Sequence, residues 1–363
     1  MQQTSTAINE TLTRLAAEHD RKVDFVADTR DLSLVNRAYS NPDRPYALII
    51  NGNTYRDFVR SELPTEFNIR PEGHRQLAAK TGITHKDYAR MQEHAPDLLA
   101  TNVNHWLRHD PKRAMVRDLD GVRAVLSSRY RRIDHRDILN AAAPRLEANG
   151  YTITGLQANE TRMVLRAELS EPVELRKVGD VAKRGIVITN SENGHGSFLV
   201  GMFVRILSCL NGMQMDDHRM RRHHVGTDQA NGFLSESTMQ ADDAVFLMKA
   251  ADLIDAFADR RKFDKFWDAI DNAGSVELAA PIAAAEVLTK RAGLNKAEGV
   301  AVRDGLVKSA DFTVWGAIQA LTAFAHKGDM SSDANLDRRS ELEQTAGRLL
   351  MDKSAHAALS AAA

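Results

Sequence analysis

Residues 185–210 read GIVITN, then SENGHG, then SFLVGMFVRILSCL. Two apolar, β-branched runs of strand length are separated by six small or polar residues that include two glycines. This is the pattern of neighbouring strands joined by a tight loop. Working outward, YTITGLQ and TRMVLRAEL (151–169) form a strand pair that turns around Ala158–Glu160. AMVRDL and VRAVLSSRYRRI flank Asp120-Gly121, a favoured two-residue hairpin turn. Between these pairs DILNAAAPRLEANG reads as a helix, with Asp134 as a cap and a stop at Asn149-Gly150. Pro144 inside it predicts a kink, or a start later than Asp137. The order β-β-α-β-β-β-β defines an α+β fold with a central, mostly antiparallel sheet and a packed helix, not a doubly wound parallel one.

Helices are expected on both flanks of this core. Residues 8–18 place Ile8, Leu12 and Leu15 on one stripe, and residues 72–107 are helical. Within residues 74–91, Ala78, Gly82 and Ile83 have helix-turn-helix spacing. The second of those helices offers only Lys86 and Arg90 as cations, so an ordinary helical hairpin is the alternative to a DNA-reading one. Residues 45–59 read as a hairpin about Asn51-Gly52. After Gly226 the pattern is helical to the end. A long amphipathic helix over 242–270 places Val245, Met248, Leu253, Phe257 and Phe266 near one stripe, and shorter helices fall near 281–292, 297–309, 313–326 and 338–353. Three regions result: N-terminal helices plus a hairpin (1–108), a basic α+β core (109–226) and a helical C-terminal region (227–363).

Composition narrows the class. With 43% hydrophobic residues the 363-residue chain has the apolar material for a core, and its longest apolar runs are far shorter than the roughly 20 residues of a membrane helix. No membrane partner is expected. Met1–Asn9 carries neither a positive flank nor an apolar stretch, so no signal peptide is expected and the location reads as cytoplasmic. The single cysteine, Cys209, has no disulfide partner within the chain and sits in an apolar run, as a buried thiol would. NSENGHGS lacks the lysine and hydroxyl residue of a P-loop and the glycine spacing of a dinucleotide fold. There is no G-x-S-x-G and no H-E-x-x-H, so no cofactor and no catalytic residue is assigned.

Basic and acidic residues nearly cancel, 48 against 49, which excludes a uniformly basic coat. Their distribution is uneven. Residues 103–226 hold 20 basic against 14 acidic residues, and residues 227–280 hold 5 against 11. Such asymmetry marks a polyanion-binding surface, or two segments that neutralise each other across an interface. Two arginine clusters lie in the basic segment. One is Arg129, Arg131 and Arg132, with Tyr130 as a ring to stack on a base. The other is Arg219, Arg221 and Arg222, beside His224. Guanidinium groups pair bidentately with phosphate, and stacking on an aromatic ring tolerates any base. Asp216, Asp217, His218 and His223 are residue types that suit a divalent cation, but their spacing fits no standard site and the arginines between them would repel the ion.

Several of these segments together resemble the phage- and plasmid-borne family catalogued as domain of unknown function 932. The family's "N-S-x-x-G" turn, apolar strand with "R", "C-x-N-G" and later "H-x-G" fall on Asn190, Ser191, Gly194, Arg205, Cys209, Asn211, Gly212, His224 and Gly226. Its "R-A-x-L-S-x-x-Y" strand falls on Arg123, Ala124, Leu126, Ser127 and Tyr130, and its C-terminal "W-G" helix on residues 313–326. The resemblance covers about residues 70–350. It implies a phage or plasmid origin in a bacterial cell and a DNA-processing context. A basic sheet with a helix behind it is also similar to ring-forming annealing proteins such as Red-beta, a likeness of fold alone. The expectation is a non-enzymatic protein that binds or anneals single-stranded DNA in recombination and forms homo-oligomers, the acidic segment packing on a neighbour's basic face. The alternatives are a metal-dependent nuclease and a phage-encoded interaction or anti-defence module. Asn190, Ser191, Gly194, Arg205, Asn211, Gly212 and Gly226 are expected to be architectural, with Gly212 at positive φ after the apolar strand.

Overall fold

The computed structural model describes residues 2–50, 56–57, 66–175, 179–207, 212–222, 236–326 and 333–363. Its centre is a five-stranded antiparallel meander made of β8 (Tyr151–Ala158), β9 (Met163–Glu174), β10 (Val181–Asn190), β11 (Phe198–Ile206) and β12 (Gly212–Arg222). Strands β10 and β11 are buried along almost their whole length because both faces of the sheet are covered. On one face Leu165, Ile186, Ile188, Phe198 and Val200 join the main core with α5 (His135–Ala148) and α6 (Glu236–Phe257). On the other, Val164, Val187, Leu199 and Phe203 pack with Leu336 of α11 (Asp333–Met351). The fold is α+β, as the strand and helix order implies.

The hairpin about Asp120-Gly121 forms as read. Asp120 and Gly121 have φ of 54° and 138°, and β6 (Arg113–Asp118) pairs antiparallel with β7 (Val122–Ser127). The hairpin expected over residues 45–59 does not form. Its first arm, β3 (Tyr46–Ile50), pairs with β2 (Leu32–Asn36) and β5 (Glu66–Asn68). Its second, β4 (Arg56–Asp57), pairs instead with β1 (Val23–Asp28). The turn residues Asn51 and Gly52, like Cys209, lie outside the described residues.

The expected boundary at 108 also moves. Strand β1 pairs with β6 over six residues, so a four-stranded sheet, β4-β1-β6-β7, crosses that position. One core unites β1–β3 and β5–β7 with α2 (Pro71–Thr81), α3 (His85–His94) and α4 (Pro96–His109). Leu15 of the first helix, α1 (Gln2–Arg21), belongs instead to the core of the five-stranded sheet. The residues of this core run from Val23 to Val125. The helical hairpin over 74–91 is present, its turn at Gly82 left-handed (φ 69°), and most of the α3 surface is exposed.

The C-terminal region is helical: α6, α7 (Asp264–Gly274), α8 (Pro281–Arg291), α9 (Lys296–Ser309), α10 (Val314–Ala325), α11 and α12 (Lys353–Ser360). The long helix expected over 242–270 is two helices, broken after Phe257. There Asp259 caps a short 3-10 turn at Arg260–Phe263 by accepting from the Arg261 N–H. The buried stripe of α6 is also displaced: Phe246, Ala250, Ile254 and Phe257 are buried, whereas Val245 and Met248 are exposed. Helix α5 starts at His135 and runs through Pro144. No helix among the described residues is long and apolar enough to cross a membrane.

Gly212 opens β12 and is not among the positive-φ residues. Its glycine is required for a different reason, since a Cβ there would lie 2.4 Å from the Phe203 ring. Gly212→Val should therefore destabilise the fold by about 1–3 kcal/mol through overpacking, read as a lower denaturant midpoint. A variant that melts like the parent would contradict this packing.

Candidate nucleic-acid interface

The loop 191–197 between β10 and β11 is held from several sides. Ser191 Oγ donates to Asn193 Oδ1 and accepts the His195 N–H at 3.0 Å. From α2, Gln76 donates to the Asn193 carbonyl (2.6 Å) while accepting the Val125 N–H of β7 (2.7 Å). Asn193 Nδ2 donates to the carbonyl of Glu160, and the Tyr130 hydroxyl donates to that of Ser191. Gly194, at φ 88°, packs against Leu126. Asn190, at the end of β10, donates from Nδ2 to the Ile133 carbonyl and meets His135 Nδ1 at 3.0 Å. The "N-S-x-x-G" and "R-A-x-L-S-x-x-Y" segments, some sixty residues apart, thus close on each other.

Beneath the loop lies a buried ionic network. Arg117, fully buried, is the cross-strand partner of Asp24 and binds both its carboxylate oxygens at 3.0 and 2.8 Å. It also donates to the Asp134 carboxylate at 2.5 Å and to the Glu192 carbonyl at 2.7 Å. The Glu192 carboxylate accepts from Lys22 Nζ (2.6 Å), Arg123 (2.8 Å) and the His135 N–H (2.7 Å). Asp134 stands at the N-cap of α5 as read, but its carboxylate makes no cap bond, and Glu192 satisfies the helix instead. Burial alone would raise the Glu192 carboxyl; His135, in its protonated form, and the charges of Arg123, Lys22 and Arg117 outweigh it and hold the group well below the usual range. Burial pushes the His135 imidazole down to about 4.

These contacts revise the first arginine cluster. Tyr130 is 4% exposed with its hydroxyl bonded, so it is not a stacking platform for a base. Arg131 is buried and pairs with Asp243 (2.8 Å) and Asp242 (3.3 Å) of α6. Arg132 is half-buried, 3.6 Å from Asp24. Arg129 alone of the four is exposed. More broadly, several described cations of the basic segment pair inside the chain: Arg145 with Asp255, Arg166 with Glu343, Arg184 with Glu171, Arg162 with Asp337 and Arg205 with Glu168. Arg131 and Arg145 pair with Asp242, Asp243 and Asp255 of the acidic segment within the same chain.

The second cluster lies on β12, the edge strand of the sheet. Arg222, Arg221 and Arg219 are the register partners of Phe198, Leu199 and Gly201, the first residues after the glycine-rich loop. Asp216, Asp217 and His218 share the same strand, and the side chains of these six residues are not described. Asn211, His223, His224 and Gly226 lie outside the described residues. No group of three metal-ligating side chains occurs among the described residues.

Next to this corner is an open cleft of about 470 Å³, lined by Thr189 and Leu199 of the sheet, His195 and Gly196 of the loop, Arg162, and Asp337, Arg338 and Glu341 of α11. The Glu72 carboxylate, 2.5 Å from His195 Nε2, holds the imidazole above its ordinary value. His195 is exposed and paired with Glu72. Arg162 and Arg338 were not legible as site residues, because one lies in a strand turn and the other on a helix about 175 positions later. Among protein-family models, curated proteins and solved structures, the chain matches none.

Two expectations follow. Arg117→Ala leaves Asp24 and Asp134 buried without their main partner and should cost about 3–5 kcal/mol, against at most about 1 kcal/mol for Arg303→Ala in an exposed pair. Equal effects in chemical denaturation would deny the network its role. The pH dependence is also set. His135 and His74, each pushed down to about 4 by burial, stay neutral in the fold while the unfolded chain protonates near 6.5. Stability should therefore fall as pH drops from 6.5 toward 4, by up to about 1.4 kcal/mol per pH unit for each group. His195, raised by Glu72, opposes this above pH 6.5, where its contribution is lost. A melting temperature that is flat from pH 6.5 to 5 would contradict the two buried imidazoles.

Proposed function

We propose that the protein binds single-stranded DNA without cleaving it, at the corner where the loop 191–197 and the C-terminal end of β12 meet. One observation carries this reading: two segments singled out for separate reasons, the glycine-rich loop and the Arg219–Arg222 run, stand at one end of one sheet through the β11–β12 register. The adjoining cleft holds Arg162, Arg338 and His195, each already paired with an acid: Asp337, Glu298 with Glu341, and Glu72. Backbone contacts of this kind fix a strand by its phosphates, with bases read weakly or not at all. Arg129 belongs to the proposed surface as an exposed cation; Tyr130 does not. The resemblance to domain of unknown function 932, with its mobile-element context, is part of the proposal and favours DNA as the polyanion. So is strand annealing by homo-oligomers, which needs no metal.

Binding to a labelled single strand should weaken steeply with salt, with a log–log slope of about −0.7 for each neutralised phosphate. It should persist in chelator and fall at least tenfold in the Arg219→Ala, Arg221→Ala, Arg222→Ala variant, compared with the parent at temperatures where melting shows both to be folded. Salt-indifferent binding, or a triple variant that binds normally, would remove this corner as the interface.

A further inference from the structure

A second cleft, of about 550 Å³, is built from the start of β3, the end of β5, the first turns of α2 and the inner side of α3. It shares no lining residue with the cleft beside β12: in the first turn of α2 Glu72 faces His195, while Arg70, His74 and Arg75 line this separate space. His74 is nine-tenths buried. Its Nδ1 meets the Tyr88 hydroxyl at 2.9 Å, and the rings of Tyr46 and Tyr88 stand edge-on to it at 5.3 and 5.8 Å. Its Nε2 has no hydrogen-bond partner among the described residues, and burial keeps the ring neutral at pH 7. A neutral imidazole fixed on three sides, with one nitrogen left over, is ready to exchange one hydrogen bond with an occupant.

Cations converge at the same place. Helix α2 begins at Pro71, and Arg70 at its N-cap makes no side-chain cap bond, so the helix terminus meets the cleft without a side-chain acceptor. Arg44 is exposed and makes no ion pair among the described residues. Arg70 and Arg75 are held only loosely, at 3.6 Å from Glu160 and 3.3 Å from Glu72. Of the two acids in the lining, Asp120 is taken by Arg21 at 2.6 Å, which leaves Asp43. Three arginines line the cleft beside the first turn of α2, whose own acid, Glu72, is shared by His195 and Arg75; together they match a doubly charged phosphate better than a single carboxylate.

We propose that this cleft binds a phosphate monoester, its phosphoryl oxygens on Arg44, Arg70 and Arg75 at the start of α2 and a planar, hydrogen-bonding group against His74. Two sources carry this chemistry: a free nucleoside monophosphate, and the 5′-phosphate of a nucleic-acid strand. The test is calorimetric titration of the full chain with adenosine 5′-monophosphate, adenosine and inorganic phosphate, repeated on the exposed double variant Arg44→Ala, Arg75→Ala after its melting is checked. Saturable binding of the monophosphate, at least tenfold tighter than adenosine or inorganic phosphate and at least tenfold weaker in the variant, is expected. If the strand end is the ligand, a 5′-phosphorylated oligonucleotide binds more tightly than its 5′-hydroxyl twin, and the double variant erases the difference. No saturable binding by either phosphorylated probe, equal affinity for inorganic phosphate, or binding unaffected in the variant overturns the proposal. The Arg219, Arg221, Arg222 variant should bind the monophosphate normally, so failure of this site and failure of the β12 interface are separately visible.

Discussion

The structure turns on one buried guanidinium. Arg117 joins β1 to β6 through Asp24, the paired strands to α5 through Asp134, and all of these to the β10–β11 loop through the Glu192 carbonyl. A charge without water is tolerable only when every donor is answered, and taking away any single partner exposes the rest to an uncompensated desolvation cost. Glu192 repeats the logic with opposite sign, answered by Lys22, Arg123 and the first N–H of α5. Two hydrophobic cores that otherwise pack separately are therefore locked in one relative position by directional bonds, which apolar contact alone does not specify.

This arrangement explains which parts of the molecule could be read from its sequence. The Asp120-Gly121 hairpin was legible because its turn obeys a rule confined to two residues. Asn51-Gly52 satisfied the same rule, yet β3 took β2 and β5 as partners, and a strand's choice among distant edges leaves no local mark. Four strands of the meander were legible from their length and order; β12 was not, because its residues read as a polar cluster. The stripe of α6 was not, because Val245 and Met248 fit the helical period but the sheet meets Phe246 and Ala250.

Charge misled for the same reason. The excess of cations over residues 103–226 is real, but Arg117, Arg123, Arg131, Arg166 and Arg184 are buried in ion pairs with acids from elsewhere in the chain. The pairing of Arg117 with Asp24 spans 93 positions and that of Arg166 with Glu343 spans 177. The two proposed sites, the β12 end and the cleft around His74, draw their residues from segments that composition treated as unrelated. What the sequence did mark was the glycine-rich loop, since small residues there let α2, β7 and α5 approach it together.

The pairing of β1 with β6 bears on how the chain is made. During synthesis Asp24 emerges about ninety residues before Arg117, and its strand has no central partner until residue 118 has left the ribosome. Even then the guanidinium has one acid of its two, until Asp134 follows, and the loop that supplies the Glu192 carbonyl appears some sixty residues later still. The nascent N-terminal half thus passes through a stage in which buried charge outnumbers its partners, and long-range pairing of this kind is slow. Release of a properly docked N-terminal unit is tied to completion of the β10–β11 hairpin, so truncation anywhere before residue 192 should yield a chain that chaperones hold rather than a smaller stable protein.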